Sequence, residues 1–279
     1  MEVSNKSIFL IICVIILFAV IIYQNKNNSS ENKLERFENI NTSQNNKPII
    51  KKLCQTYHNK DKIPEKVFQN IQKFLPDFEH NVFDDRDCLA FLEEFDKKYG
   101  KTLLNNKSTV ENFKIQKANA HKADIFRYCY LYENGGLYAD IKTIFIKPIT
   151  ELQLQNNLFY SVIDLSKKAI YQGVIYSPAK NKLFLDNIHF ILNNPNPDYS
   201  RYIQYLYESV KKYSINQKVK PGLNKMKDMP DIYLFEETSF DKKKCNNELD
   251  RYKICSFITD KNKMIIRTRY SDYPWKNNF

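Results

Sequence analysis

One segment of the sequence, residues 117–148, limits the possible folds more than any other. Its first part, KANAHKADIFRYCYLYEN, has apolar residues at helical spacing and ends at Gly135 and Gly136. Its second part, LYADIKTIFIKP, alternates apolar and polar residues, which predicts a strand with Asp140 near its middle. A helix, a glycine turn and a strand in this order are typical of an α/β domain.

Charged side chains in this segment occupy positions that predict burial. Asp124 and Arg127 stand three residues apart on a helix that otherwise carries Ala, Phe, Tyr and Leu, and Asp140 stands in an apolar strand. A buried carboxylate is costly unless it meets a cation, a metal ion or good hydrogen-bond donors. Two interpretations are open. Asp124 pairs with Arg127 and Asp140 with Lys142, or these carboxylates are directed into a ligand crevice.

The residues before this segment predict a further alternation of strands and helices. An apolar run, IIKKLCQTYHN at residues 49–59, predicts a buried strand that ends at polar residues. A helix follows from Ile63 to Leu75, then a strand at residues 78–83, and then a helix that ends at Gly100. This order predicts an α/β domain with a largely parallel sheet, in which ligands bind at the carboxyl ends of the strands.

The N-terminal region predicts a membrane segment. Residues 8–23, IFLIICVIILFAVIIY, carry no charge, and polar residues follow them instead of the small residues of a cleavage site. We expect an uncleaved single-pass anchor after a short tail at residues 1–7, with a cleaved signal peptide as the alternative. Residues 24–47 are rich in Asn, Ser, Glu and Lys, which predicts a flexible stem before a globular domain at residues 48–279.

The formal net charge of +11 raises the question of a nucleic-acid partner. Lys and Arg are spread among nearby acids, and the sequence has no helix-turn-helix, RNA-recognition or zinc-finger pattern, so we expect no nucleic acid. The 19 Phe and 19 Tyr exclude a disordered chain. The cysteines have no zinc-site spacing, and Cys245 and Cys255 predict either a disulfide or two free thiols.

Several motifs together resemble one known family. The strings KADIFRY at residues 122–128 and GGLYAD at 135–140 resemble the signature of glycosyltransferase family 32, the DXD-containing sugar transferases related to yeast initiating mannosyltransferases. LCQTY at residues 53–57, Ile63-Pro64, Gln172-Gly173 and Ser177-Pro178 resemble other segments of that family. The glycosylating domains of large clostridial toxins are a more distant resemblance. The match spans about residues 49–194.

That resemblance implies a GT-A fold, a single Rossmann-like α/β domain, which here follows the N-terminal transmembrane helix predicted from residues 8–23. Together with that helix, it leads us to expect a membrane-anchored enzyme of type II orientation, with its domain in an ER- or Golgi-like lumen or elsewhere outside the cytosol. Such an enzyme moves a hexosyl group from a nucleotide-sugar donor to a hydroxyl of a glycan or glycoprotein acceptor, with retention at the anomeric carbon. The implied catalytic residues are Asp124, Arg127 and Asp140, and the implied substrate-binding residues are Gln55, Thr56, Tyr128, Gly135, Gly136, Tyr138, Lys142, Ser271 and Trp275.

One position departs from the family pattern. The second Asp of the DXD motif holds a divalent metal in such enzymes, and here that position is Lys142, which has no lone pair for a metal ion. Three interpretations are open. Asp140 and another carboxylate bind Mn²⁺ or Mg²⁺, or Lys142 itself neutralises the diphosphate, or the domain has lost catalysis and is a nucleotide-sugar or sugar-binding module.

Overall fold

The computed structural model describes residues 48–240, 255–261 and 263–269. Its strands are β1 Lys52–Thr56, β2 Glu79–Phe83, β3 Gly136–Ala139, β4 Ile144–Phe145, β5 Phe159–Ile163, β6 Ile170–Ser177, β7 Gly222–Asn224, β8 Ile232–Phe240, β9 Cys255–Asp260 and β10 Lys263–Arg269. Its α-helices are α1 Glu65–Phe74, α2 Asp85–Tyr99, α3 Thr109–Ile115, α4 Asn119–Asn134, α5 Lys182–Asn193 and α6 Arg201–Tyr213, and short 3₁₀ helices lie at Lys60–Lys62 and Ile149–Leu152.

The strands form one mixed sheet in the order β2-β1-β3-β6-β5-β8-β9-β10-β4, with β7 paired to β8. Only β1 with β2, β1 with β3, and β5 with β8 are parallel pairs in the described part of the chain. The prediction of a largely parallel sheet is therefore wrong. Residues 164–169 between β5 and β6 and residues 261–262 between β9 and β10 are too few for a parallel crossover, so these strands pair antiparallel.

The sheet is curled. Strands β6, β5, β8, β9 and β10 separate β3 from β4 in the sheet, which at ~4.8 Å per strand corresponds to about 29 Å in a flat sheet. Along the chain only residues 140–143 separate the two strands, and a link of that length reaches at most about 18 Å. The sheet must therefore bend to bring its last strand back toward β3.

This curl corrects the prediction for Asp140. Strand β3 ends at Ala139, so Asp140 follows the strand instead of standing in its middle. The Asp140 amide donates to the Gly173 carbonyl at 2.8 Å, and the Thr143 amide donates to the Asp140 carbonyl at 2.8 Å, so the chain turns here. The next strand, β4, pairs with β10 and not with the neighbours of β3.

Both faces of the sheet are buried, which leaves its strand ends as the place for a site. Leu53 and Leu137 pack on one face with Phe145 and Val162, whereas Cys54 and Tyr138 pack on the other face against the helices. Helix α4 lies within this second layer and is buried on almost all sides. Its apolar surroundings explain why any charge on α4 needs a partner.

The glycine pair fixes how α4 leads into β3. Gly135 and Gly136 have φ angles of 66° and 93°, which favour glycine. A Cβ atom on Gly135 would lie 2.6 Å from the Ala179 amide nitrogen, and one on Gly136 would lie 2.7 Å from the Lys52 carbonyl oxygen. The pair thus allows a sharp turn and a close approach to the neighbouring backbone.

No helix in the described part of the chain is long and apolar enough to cross a membrane. The predicted anchor at residues 8–23 and the stem at 24–47 lie outside the described residues. The anchor, the stem and the membrane location therefore stay predictions.

Candidate active site

A cavity of about 460 Å³ opens at the edge of the sheet where β1, β2, β3 and β5 end. This is the edge at which the sequence predicts ligand binding. Thr56, Asp85, Asp140 and Asp164 reach it from the strand ends, and the first turns of α4 form one wall. Of the predicted site residues, those that line the cavity are Thr56, Asp124, Arg127, Tyr138, Asp140 and Lys142.

The other predicted site residues lie elsewhere. Gln55 is buried beneath the cavity, where its side-chain amide donates to the Asp140 carbonyl at 3.3 Å. Tyr128 is buried on α4, and Gly135 and Gly136 stand at the opposite end of that helix from the cavity. A substrate-binding role for these four residues stays a prediction. Ser271 and Trp275 lie outside the described residues.

Asp124 and Arg127 form a buried ion pair, with 3.3 Å between Oδ1 and Nη2. Arg127 also donates from Nε to the Ala123 carbonyl at 3.1 Å and from Nη1 to the Gln172 carbonyl at 2.6 Å. Its guanidinium carbon lies 4.4 Å from the centre of the Tyr138 ring. These contacts on several sides hold the guanidinium in one orientation at the cavity wall.

Asp140 joins this pair to the end of β3. Its Oδ1 accepts a hydrogen bond from the Tyr138 hydroxyl at 3.1 Å and lies 3.7 Å from Arg127 Nη1, while Oδ2 lies 3.6 Å from Lys142 Nζ. The Tyr138 hydroxyl is also 3.1 Å from Thr56 Oγ1. The two interpretations of these acids are therefore compatible. Asp124 pairs with Arg127 and Asp140 pairs with Lys142, and the same four side chains line the cavity.

The two carboxylates have opposite pKa shifts. Burial raises the pKa of Asp124 to about 6, although Arg127 and His121 oppose the shift. Burial also works against ionised Asp140, but Lys142, Arg127 and the Tyr138 hydroxyl outweigh it and lower the pKa of this carboxyl. For Arg127, burial opposes the charge, whereas Tyr138, Asp124 and Asp140 raise the pKa above its ordinary value.

Strand β6 supplies polar side chains for which the sequence predicted no role. Gln172 is 2% exposed, and neither its amide nitrogen nor its amide oxygen has a hydrogen-bond partner within the described residues. The buried Tyr171 hydroxyl has none there either. The Tyr128 hydroxyl lies near the Gln172 side chain without the geometry of a hydrogen bond. Gln172 and Tyr171 line the cavity, and their unpaired atoms lie buried just behind its surface.

The absence of a side chain at Gly173 lets Tyr171 and Asp140 pack close to its backbone in this wall of the cavity. A Cβ atom there would lie 2.1 Å from the Tyr171 hydroxyl and 2.7 Å from Asp140 Oδ2. The motif Gln172-Gly173 was the sequence signal for this wall. Its position opposite Asp140 depends on the antiparallel pairing of β3 with β6, which local sequence does not reveal.

The remaining walls bring together residues from distant parts of the chain. Glu237 on β8 accepts a hydrogen bond from Thr268 on β10 at 3.0 Å, and both line the cavity. Tyr199, before α6, is 74% exposed and borders the cavity near His121. Sequence reasoning missed these residues, because nothing in their local pattern distinguishes them from ordinary strand and loop positions.

The residues at Asp140 do not form a metal site. Nowhere in the described ranges do three His, Cys, Asp or Glu side chains stand close enough together to hold a metal ion. Arg127 faces one oxygen of Asp140 and Lys142 faces the other, so a divalent cation bound to this carboxylate would meet two positive charges. The donor set therefore does not fit Mn²⁺ or Mg²⁺ in this arrangement.

Comparison with known proteins supports the family resemblance that the motifs predict. Residues 61–160 match the family described as "Glycosyltransferase sugar-binding region containing DXD motif". This range contains Asp124, Arg127 and Asp140, the acids and the arginine of the cavity wall. The resemblance to glycosyltransferase family 32 is thereby confirmed for this part of the chain.

Two curated relatives carry the name initiation-specific alpha-1,6-mannosyltransferase. The relative from Saccharomyces cerevisiae is 30% identical over 134 residues, which is 45% of this chain and 26% of that protein. The relative from Candida albicans is 32% identical over 113 residues, which is 38% of this chain and 27% of that protein. The chain thus spans about a quarter of the length of these relatives.

A solved structure named PaToxG Glycosyltransferase is similar at 17% identity and a TM-score of 0.44. The match covers 63% of this chain and 75% of that chain.

Proposed function

We propose that residues 48–279 are a GT-A glycosyltransferase domain, which binds a nucleotide-sugar in the cavity and transfers its sugar to an acceptor hydroxyl. One observation carries the proposal. Asp124, Arg127 and Asp140, which belong to the segment that matches a sugar-transferase family, converge on the wall of one cavity. Two ion pairs with a purely structural role would not need to line a cavity of about 460 Å³.

Two cations at one wall of the cavity suit the diphosphate of such a donor. Arg127 supplies a fixed guanidinium, and Lys142 supplies an ammonium at the same wall. The first turn of α4 also faces the cavity through Asn119 and Ala120, and Ala118 at its N-cap makes no side-chain cap. Backbone amides at the start of a helix favour an anion, so α4 adds to the same preference.

The polar groups of the cavity suit the hydroxyls of a sugar. A buried donor or acceptor that stays unpaired costs about 1–3 kcal/mol, and the Gln172 amide presents one of each. Sugar hydroxyls can both donate and accept, so they can satisfy Gln172 and Tyr171 together once these side chains turn toward the cavity. Asp124 adds a buried carboxylate that accepts from a further hydroxyl.

We propose transfer with retention. The bond between the anomeric carbon and the diphosphate oxygen breaks, and its electron pair goes to that oxygen. The acceptor oxygen forms the new bond at the same face of the anomeric carbon, and its proton passes to the released diphosphate. Arg127 and Lys142 stabilise the negative charge that develops on the leaving group. No side chain of the chain needs to form a covalent intermediate in this scheme.

The donor, the acceptor and the location are further parts of this proposal. Because two relatives are named mannosyltransferases, a nucleotide-activated mannose is the first donor to test, and a glycan or glycoprotein is the proposed acceptor. The apolar residues 8–23 support a single-pass anchor that holds the domain at a membrane. We place the domain on the lumenal side of that membrane, as a type II protein.

Donor hydrolysis tests the activity directly. The full chain in detergent is incubated with a panel of UDP- and GDP-sugars, and release of the nucleoside diphosphate is measured with Mn²⁺ and with EDTA. We expect turnover of at least one donor and a loss of about 100-fold or more in Asp140→Asn, because this carboxylate holds both cations of the site. Asp77→Asn, a surface carboxylate paired with Lys51, is the matched control. If no donor is bound or hydrolysed, the proposal fails.

A second candidate function rests on Lys142. Lys142 replaces the second acid of the DXD motif, so the domain could bind a nucleotide-sugar without turning it over. Calorimetry separates the two functions. The domain is a binding module if the wild type binds a donor, Asp140→Asn weakens that binding, and no donor is hydrolysed.

A further inference from the structure

Lys142 is held at the cavity by the turn that follows β3. Residues 140–143 form this turn, closed by the hydrogen bond from the Thr143 amide to the Asp140 carbonyl. The Lys142 ammonium lies 3.6 Å from Asp140 Oδ2, and its side chain is 36% exposed. The ammonium is therefore fixed beside the carboxylate, yet it remains accessible to a molecule in the cavity.

The charges around Asp140 are already balanced. Asp124 and Asp140 carry two negative charges when ionised, and Arg127 and Lys142 carry two positive charges. A bound divalent ion would add two further positive charges at the same place. The carboxylate of Asp140 thus holds the Lys142 ammonium in the position where the family pattern has a second acid.

The other acids of the cavity wall are engaged in different contacts. Asp164 accepts hydrogen bonds from Ser166 Oγ and the Ala169 amide, and Asp85 pairs with Lys122 at 3.3 Å. Glu237 accepts from Thr268 and from the Leu165 amide. Within the described residues, these three acids and Asp140 form no group of three side chains that could hold a metal ion.

We propose that the Lys142 ammonium replaces the divalent cation of the DXD motif, so that this site binds a nucleoside diphosphate without metal. This inference rests on the proposed function, because the diphosphate is that of the donor. An ammonium offers three donors and a compact charge, which suit phosphate oxygens. During transfer, Lys142 neutralises the oxygen that takes the electron pair of the broken anomeric bond, and it neither gains nor loses a proton.

Calorimetry on the full chain in detergent tests this inference. UDP and GDP are titrated in EDTA, in Mn²⁺ and in Mg²⁺, and turnover of any active donor is measured under the same conditions. We expect wild-type affinities that differ by less than about threefold between EDTA and metal. Lys142→Ala should weaken binding by about tenfold or more, and Lys142→Arg should retain part of the affinity.

Lys142→Asp gives the sharpest result, because it restores the acid pair of the motif. We expect this variant to lose nucleotide binding in EDTA and to recover it in Mn²⁺, a metal dependence that the wild type lacks. Lys147→Asp, an exposed lysine outside the cavity, is the matched control and should bind as the wild type does. Circular dichroism confirms that each variant is folded.

The outcomes are distinct. If the wild type binds or turns over a nucleotide ligand only with Mn²⁺ or Mg²⁺, the inference about Lys142 is wrong while the proposed function stands. The inference is also wrong if Lys142→Asp, in EDTA, binds the nucleotide with the same affinity as the wild type does. If the wild type binds no nucleotide and no donor under any condition, the proposed function itself fails.

Discussion

Asp124 and Asp140 are chemically alike, yet their surroundings shift their pKa values in opposite directions. Asp140 faces two cations and a tyrosine hydroxyl, which keep it ionised. Asp124 is more deeply buried on α4, and burial raises its pKa to about 6 in spite of Arg127. Two carboxylates whose pKa values are pushed apart in one site are typical of residues with separate roles. Asp140 positions cations, whereas Asp124 is suited to exchange hydrogen bonds with ligand hydroxyls.

The raised pKa of Asp124 predicts a pH-dependent stability. The ordinary pKa of 3.8 applies to the unfolded chain and about 6 to the native one, so the native state binds the proton more tightly. The contribution of this group to the free energy of unfolding should therefore fall as pH rises from about 4 to about 6. Asp124→Asn lacks this loss, so its stability relative to the wild type should increase over that interval.

Urea unfolding of the full chain, followed by circular dichroism at several pH values between 4 and 7, measures this difference. The test is how the difference in the free energy of unfolding between the two proteins changes with pH. Its absolute size is not informative, because the variant also leaves Arg127 with one carboxylate fewer. Asp77→Asn, at the surface, should show no such trend. A constant difference between wild type and Asp124→Asn across the interval would show that the pKa of Asp124 is not raised.

At the scale of elements, helix α4 and its glycine turn determine much of the site. The positions of Asp124 and Arg127 could be predicted from sequence, because an interval of three residues on a helix places two side chains together. The glycine pair likewise predicted the end of α4 and the start of β3. The motif Gln172-Gly173 indicated β6 without its place in the site, and Glu237 of β8 and Thr268 of β10 could not be predicted at all, since they reach the cavity only through strand pairings between distant segments.

Gly135→Ala tests whether the glycine pair acts through conformation or through substrate contact. A Cβ atom there would meet the Ala179 amide nitrogen at 2.6 Å and the Ser177 carbonyl oxygen at 2.9 Å, at a φ of 66°. We expect a loss of about 1–3 kcal/mol in the free energy of unfolding. Donor kinetics of the folded fraction should be unchanged, because Gly135 does not line the cavity.

Gly222→Ala is the matched control for that prediction. Gly222 also has a positive φ, 83°, but no atom lies within 4 Å of the position of an added Cβ atom. Its substitution therefore measures the backbone strain alone, and the excess loss in Gly135→Ala measures the steric clash. A stable Gly135→Ala variant with weakened donor binding would instead favour the substrate-binding role that the family resemblance implies.

For the whole molecule, the sequence predicted the class of fold but not the arrangement of the sheet. The order of strands and helices up to residue 140 indicated an α/β domain with its site at the carboxyl ends of the strands, and the cavity lies there. The later strands pair antiparallel and curl the sheet, because their connections are too short for parallel crossovers. Such pairing depends on contacts across the whole domain, which local periodicity does not encode.

The net charge also belongs to this scale, and it bears on the proposed attachment to a membrane. Residues 1–50 contain nearly equal numbers of basic and acidic residues, so the excess of +11 lies almost entirely in the later part of the chain. Several of its lysines are paired with acids at the surface, as Lys51 is with Asp77 and Lys167 with Glu236. The charge is therefore a weak reason for membrane attachment, whereas residues 8–23 are a strong one.

Membrane fractionation of cells that express the full chain distinguishes these two modes of attachment. An anchor formed by residues 8–23 should keep the protein in the membrane pellet in 1 M salt and at alkaline pH, with roughly complete release by detergent. Attachment through surface charge should be lost in salt, because screening at this concentration shortens the range of electrostatic attraction to about 3 Å. A variant with Lys in place of Ile15 and Leu17 should become soluble if the segment spans the bilayer. The intact mass of the purified protein separates an anchor from a cleaved signal peptide, since cleavage would remove residues 8–23 and leave a shortened chain that needs no detergent.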